Sequence, residues 1–476
     1  MRAKIVDRRG STRIVQFEFD VGTGSGSLLD DEEAILRALN EAGVVATEEA
    51  LKRFDTSGEP MERGGVNYTS KGRVLKIFEC PYGKIPLERH IYQNSAGGSI
   101  ICPLDERAAI ILSSTPRFAK MISSKYADFG ASKTQDDMEK NHARIFSRGM
   151  ALRLSEVVAS IALASDPKQG YKLPDVDATV KTILVTIGSA EMAPPGRGTP
   201  RAALGTIGMY DINNELRFSC YFAGIVGPGP DSFVEQVHRE LGRIRTAFPM
   251  TRFVGVSGGE DWSTEFLARH VDSQFVDPDS VIDDLARASA ADLPEDEAQQ
   301  RSEWLSGLRE RFHQDQSVFD DILGRLGRWE SKATTSSGKE TILQIRQRMH
   351  EHVTHGRLNY SQKDASMLLE FPGSTADLAR TLLGDRFRQA RNKLGVSQSV
   401  ALLTLRALTR NFGRWQEFWD GIVGRLRLAS EDGRSTKRHE GEVACGDDCK
   451  EANSTQKRKV PGKQTAKRSR GNKQLD

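Results

Sequence analysis

Between Val180 and Asp277 the chain changes its hydrophobic period in an order that few folds can accommodate. Thr182–Ile187 is a continuous apolar, β-branched run, and Ala203–Tyr210 and Arg217–Phe222 are two more. Runs of this kind read as strands. The last two are joined by Asp211, Asn213 and Asn214, residue types that bond their own backbone and tolerate left-handed dihedrals, so a tight hairpin is expected. The period then lengthens. Phe233, Val237, Leu241 and Ile244 share one face of a helix over Ser232–Phe248, followed by a short strand at Arg252–Val256, a helix after Trp262, and a last strand at Gln274–Asp277. Three sequential strands can pair antiparallel, whereas a strand entered through a helical crossover joins its sheet in parallel. The order β-β-β-α-β-α-β-α therefore requires one mixed sheet flanked by helices.

The rest of the 476 residues needs other units, since a chain this long divides into about three. Asp30–Phe54 carries an apolar stripe of Ile35, Leu36, Leu39 and Val44 and reads as helix, and Val66–Gln93 reads as a small antiparallel unit broken at Pro81-Tyr82-Gly83. From Leu104 the spacing is helical. A start signal at Thr115-Pro116, a break at Phe129-Gly130-Ala131-Ser132, a short segment Lys133–Asn141 and a helix over Ser147–Ala164 together fit a helix-turn-helix. Beyond the sheet, Glu295–Trp329, Glu340–Gly356, Ala376–Leu394, Ser397–Arg410 and Trp415–Leu428 read as helices.

From Ser430 onward apolar periodicity stops, and Lys457, Arg458, Lys459, Lys463, Lys467, Arg468, Arg470 and Lys473 crowd the end. Such a stretch buries too little apolar surface to offset its ordering entropy, so it is expected to be a disordered basic tail that attracts phosphates. The net charge of +3 conceals this asymmetry. No apolar run approaches the roughly 18 residues that span a bilayer, and the N-terminus lacks an apolar leader segment. Five thinly spread cysteines fit a reducing cytoplasm. The lone Cys445–Cys449 pair has too few neighbouring ligands for zinc, so no metal or cofactor is expected from these residues.

A series of short motifs in fixed order carries a family resemblance. It comprises Phe54-Asp55-Thr56-Ser57-Gly58, Tyr68-Thr69-Ser70-Lys71-Gly72, Pro81-Tyr82-Gly83, Arg89-His90 with Tyr92-Gln93, Gly97-Gly98 and Pro103-Leu104. Thr115-Pro116 with Phe118-Ala119-Lys120, Lys125-Tyr126 and Asn141-His142 with Arg144 follow, then Leu405-Arg406-Ala407-Leu408 and Arg414-Trp415 with Phe418-Trp419. From about Phe54 to Trp419 the chain resembles the ISKra-type bacterial insertion-sequence transposases of the DDE class. The resemblance implies an α+β and α/β multidomain layout. It has an N-terminal mixed region at 1–100, a helix-turn-helix region at 101–170 and an RNase H-like core at 178–292, whose strand order matches the pattern above. A helical insertion at 293–360, a C-terminal helical part at 361–429 and the tail at 430–476 complete it. Lys120, Lys125, Lys133, Lys140, Arg144, Arg148 and Arg153 then become candidate contacts to double-stranded DNA, with Lys457, Arg458, Lys459, Arg468 and Arg470 of the tail. The alternative for the helices is an ordinary solvated face, with Leu152, Leu154, Val157, Val158 and Ile161 serving the core.

DDE chemistry needs carboxylates converging on a pair of Mg²⁺ ions. The resemblance puts the first acid at Ile187, the second at Gly258 in Ser257-Gly258-Gly259-Glu260, and the third at Ala376 or Leu378 after Pro372-Gly373-Ser374-Thr375. None of these is acidic. Asp277 keeps a family Asp, but Ser280 replaces the His that follows it. Glu191, Glu260, Asp261 and Asp377 are the nearby acids, but a shift of one strand residue reverses a side chain and two move it nearly 7 Å, so convergence is not expected. Three functions compete. One is a transposase-derived DNA-binding protein that has lost strand transfer and acts as a regulator or assembly subunit, as a homodimer or in a larger assembly, in the bacterial cytoplasm at the nucleoid. Another is an active transposase with displaced acids and Mg²⁺. The last is a non-catalytic protein-interaction scaffold.

Overall fold

A computed structural model describes all residues except 1–2, 10–11, 19–25, 95–96, 165–172, 174–179, 193–200, 227–230, 292, 294–297, 315–316, 361–374, 385–394, 412 and 432–476. The basic tail, Cys445, Cys449 and the Pro372–Ser374 segment therefore lie outside the described residues. The protein mixes α and β structure, with three separate sheets among the described residues.

The chain opens with a hairpin of β1 (Ala3–Arg9) and β2 (Thr12–Phe17), which the charged sequence did not signal. Helix α1 (Leu28–Lys52) follows, its first turn carrying Asp30 and Asp31 and the Ser27 hydroxyl accepting from the Asp30 N–H. Both features suit the positive end of a helix dipole. The expected antiparallel unit is β3 (Met61–Arg63), β4 (Val66–Glu79) and β5 (Lys84–Asn94), in that spatial order. Helix α2 (Pro103–Arg107) leads to α3 (Pro116–His142) and α4 (Arg148–Ala164). The expected break at 129–132 is a kink inside α3, where Gly130 adopts φ 74° and ψ 174°, a conformation favouring glycine.

The central sheet contains β6 (Val180–Glu191), β7 (Arg201–Asp211), β8 (Leu216–Val226), β9 (Arg252–Ser257) and β10 (Ser273–Val276), arranged β10-β9-β6-β7-β8. The first three pair antiparallel in sequence, while β9 joins β6, and β10 joins β9, in parallel. The crossovers are α5 (Asp231–Ala247) and α6 (Asp261–His270), with α7 (Pro278–Ser289) after β10. Asp211 Oδ1 accepts from the backbone N–H of Asn213 and of Glu215, and Asn214 has φ 61°, so the β7–β8 hairpin turns as its residues predict.

Strand alternation divides the core. Ile183, Val185 and Ile187 of β6 point into an apolar layer with Phe233, Val237 and Leu241 of α5 and Phe266 and Leu267 of α6. Leu184 points the other way, to a second cluster shared with α7 and the following helices. Those are α8 (Ala298–Ser306), α9 (Leu308–Gln314), α10 (Val318–Lys332) and α11 (Ser336–Thr354). The single helix expected over Glu295–Trp329 is thus three helices, with Gly307 between the first two. Three further helices, α12 (Thr375–Leu382), α13 (Val396–Arg410) and α14 (Arg414–Glu431), pack with α3, α4 and the outer strands β7 and β8 into one cluster. The helices before the central sheet and those at the far end of the chain therefore share a core. Buried Arg406 ties them, donating to the carbonyl oxygens of Ala127 and Thr381 at 2.9 Å each.

Candidate functional site

The carboxyl ends of β6, β9 and β10 lie side by side, the edge at which open α/β sheets collect their functional groups. The Gly258 N–H donates to the Ile187 carbonyl at 2.9 Å and the Asp277 N–H to that of Ser257 at 2.9 Å. The residues after the three strands are thereby locked together.

Side-chain direction at this edge differs from what the family resemblance implies. Ile187 is only 1% exposed and belongs to the α5–α6 layer; its Cγ2 would lie 3.2 Å from a Cβ built on Gly205. Its neighbour Gly188 faces the other groups of the edge, because a Cβ there would meet Thr375 Cγ2 at 2.9 Å and the Gly258 backbone at 3.3 Å. A side chain at 188 would therefore face Thr375, the partner of Asp277, and 188 is glycine. Leu378 is likewise buried in the helical cluster of α3, α4 and α13. Ala376 lies on the first turn of α12.

Asp277 is 1% exposed and committed to structure. Oδ1 accepts from the Asp279 N–H at 3.1 Å, capping α7, and Oδ2 accepts from the Thr375 N–H at 2.7 Å and from the Thr375 hydroxyl. Thr375 Oγ1 in turn lies 3.0 Å from Ser280 Oγ, so Ser280 extends the hydroxyl contacts around Asp277. Burial pushes the Asp277 carboxyl above its ordinary range, and the bonds from Thr375 oppose that shift.

Glu260 departs from expectation. It reaches back to the end of β6, where Oε1 accepts from the Ser189 N–H at 3.0 Å and from the Ser189 hydroxyl at 2.5 Å, with Arg201 at 3.4 Å. A Cβ on Gly258 would lie 2.7 Å from Glu260 Oε2. The glutamate thus fills the volume a side chain at 258 would take, a long-range return that strand periodicity cannot show. The other nearby acids stay apart from this edge. Glu191 is exposed at the end of β6, Asp261 is exposed on the first turn of α6, and Asp377 pairs with Arg380 on its own helix. Among the described residues, no three His, Cys, Asp or Glu side chains are grouped so as to hold a metal ion.

One buried group at this edge had no sequence signal. His352, near the end of α11, is 2% exposed, and neither ring nitrogen has a hydrogen-bond partner among the described residues. Nε2 lies 3.7 Å from where a Cβ of Gly259 would sit. Burial, with Arg357 and Arg348 nearby, lowers its pKa to about 4.

The candidate DNA contacts divide by exposure. Arg144 is 5% exposed, donating to Glu79 Oε2 at 2.6 Å and the Cys80 carbonyl at 3.1 Å, with its guanidinium over the Phe118 ring. It clamps the end of β4 to the residues after α3, buried away from solvent. Lys125 is ion-paired with Asp137 at 2.6 Å and Lys120 bonds Gln416. Lys133, Lys140, Arg148 and Arg153 are exposed and form no ion pair with a described residue. On α4, Ala151, Leu154, Ser155 and Val158 are buried, so the helix is structural on one side and leaves an arginine-bearing side to solvent. No family model and no curated protein matches the chain. No helix among the described residues is long and apolar enough to cross a membrane.

Proposed function

We propose that the chain is a transposase-derived DNA-binding protein of RNase H-like fold that has lost strand-transfer chemistry, serving as a regulator or as a subunit of a larger assembly. Support for the fold comes from the β10-β9-β6-β7-β8 order, with an antiparallel trio extended by two parallel strands. The observation that carries the functional reading is the edge itself. Gly188 and Gly258 abut, Glu260 is bonded to Ser189, and the Asp277 carboxylate is spent on capping α7 and clasping α12. Two-metal phosphoryl chemistry needs carboxylates free to converge on the ions. The two halves of α3 with α4 support a helix-turn-helix, its exposed cations being Lys133, Lys140, Arg148 and Arg153.

The second reading, an active transposase with displaced acids, gains from Glu260 alone, since that side chain occupies the space beside Gly258. A salt titration tests DNA binding. Duplex affinity should fall steeply between about 50 and 200 mM salt, as counterion release demands. Removing Lys457–Lys473 should weaken all sequences about equally. Affinity indifferent to salt, or no duplex binding at all, contradicts the proposal.

A further inference from the structure

The outer side of α5 and the end of α6, remote in sequence from the helix-turn-helix candidates, gather positive charge around an open groove. Arg239 and Arg243 stand one helical turn apart on α5, with Gly242 between them leaving the floor without a side chain. With Thr246, Ala247 and Leu173 they line a groove of 430 Å³. Residues at this spacing on a helix lie about 6 Å apart on one face. Next to the groove, His238 of α5 and His270 of α6 approach to 3.3 Å between ring nitrogens. Arg245 donates to the His270 carbonyl at 2.8 Å and lies over the Phe253 ring, contacts that leave its charge unneutralised.

Among the described residues, exposed Glu235 stands one turn before Arg239 on α5 but forms no ion pair with it. Arg239 has no ion-pair partner among the described residues. Arg243 is paired with Glu240, a buried residue that also serves Arg414, and makes a further contact besides, so the face's free charge rests on Arg239, Arg245 and Arg269. Arg269 meets Glu265 at 3.7 Å, but the two side chains are 75% and 70% exposed, so solvent screens the pair. His270 is held below its ordinary range by burial and by the nearby charges of His238, Arg245 and Arg269. A cation would be repelled here and a polyanion attracted.

We infer that this α5–α6 face is a second contact surface for the phosphate backbone of duplex DNA, an inference that rests on the DNA-binding reading above. The chemistry of the face fits phosphate rather than bases. It offers guanidinium groups, which match phosphate geometry, and its aromatic rings, Phe253 and Phe266, are buried beneath it rather than presented for stacking.

The test is a fluorescence-anisotropy titration of the full chain on a duplex of about 30 base pairs, long enough to engage two surfaces, at several salt concentrations. The Arg239→Glu, Arg269→Glu double variant reverses one half-buried and one exposed charge and touches no apolar core residue. Its affinity should drop about tenfold at low salt, with a log–log salt slope shallower by about 2, one for each lost phosphate contact. Glu265→Gln should raise affinity. Unchanged affinity and slope in the double variant, with wild type still binding DNA, overturns this inference and leaves the DNA-binding reading standing. Failure of wild type to bind duplex at low salt overturns both. A variant that binds DNA normally but loses an acidic protein partner would assign the face to protein contact and also overturn the inference.

Discussion

Two adjacent substitutions, Ile187→Asp and Gly188→Asp, should have different consequences because consecutive strand residues face opposite sides of the sheet. At 187 the new carboxyl enters the layer formed with Phe233, Val237 and Leu267. Deleting a buried isoleucine side chain to alanine costs about 2–5 kcal/mol. A protonated carboxyl left there without a partner adds about 1–3 kcal/mol. The sum, on the order of 5 kcal/mol, rivals the whole stability of a typical domain. The penalty also depends on pH with a definite sign. An apolar layer disfavours the ionised form, so the folded pKa of the introduced carboxyl rises above its unfolded value, and the variant should lose further stability as pH increases from about 4. At 188 the side chain would press on the Thr375 methyl and displace the start of α12, an overpacking effect of about 1–3 kcal/mol. Urea denaturation of both variants and wild type at pH 5 and pH 8, followed by circular dichroism, separates the cases. An Ile187→Asp protein within about 1 kcal/mol of wild type, with no pH trend, would refute the assigned direction of residue 187.

Further outcomes follow from the same contacts. Because the His352 pKa falls from 6.5 to about 4 on folding, the fold favours the neutral ring; stability is held above pH 6.5 and lost as pH falls toward 4, by about 3 kcal/mol. Wild type should therefore lose more stability on acidification than His352→Phe, and parallel urea midpoints across this range would contradict the reading. Arg144→Ala should cost about 3–5 kcal/mol by leaving buried Glu79 with only the more distant Lys84 as partner, while the folded fraction keeps the wild-type salt slope for DNA. Arg148→Ala or Arg153→Ala should leave stability nearly unchanged but lower sequence discrimination by about 1–3 kcal/mol if the side chain reads a base edge, and selection of bound sequences that returns an unaltered motif would remove α4 as the reader.

Much of the central sheet was legible because its signals are local. A β-branched run marked β6, apolar and aromatic runs marked β7 and β8, Asp211 and Asn214 marked the β7–β8 hairpin, and the stripe from Phe233 to Ile244 marked α5. The β1–β2 hairpin was not legible, since Asp7, Arg8, Arg9, Thr12 and Arg13 give it no apolar alternation to read. The run 295–329 looked continuous because its apolar spacing survives Gly307; the division into three helices is tertiary. At the candidate site, the scarcity of acids was visible in the residues, but their directions were not. The burial of Arg144 against Glu79, the return of Glu260 to Ser189 and the α5–α6 cationic face each depend on contacts between residues far apart in sequence or on separate helices.

The central claim, DNA binding without strand chemistry, is tested most directly by incubating the full-length protein with supercoiled and linear duplex DNA, at concentrations where binding is saturated, in the presence of Mg²⁺ or Mn²⁺. The account predicts that the DNA is bound and recovered intact, with no nicked circles and no joined products above a protein-free control. Metal-dependent nicking that disappears in Glu260→Gln would contradict it, and would make Glu260 the displaced acid of an active transposase.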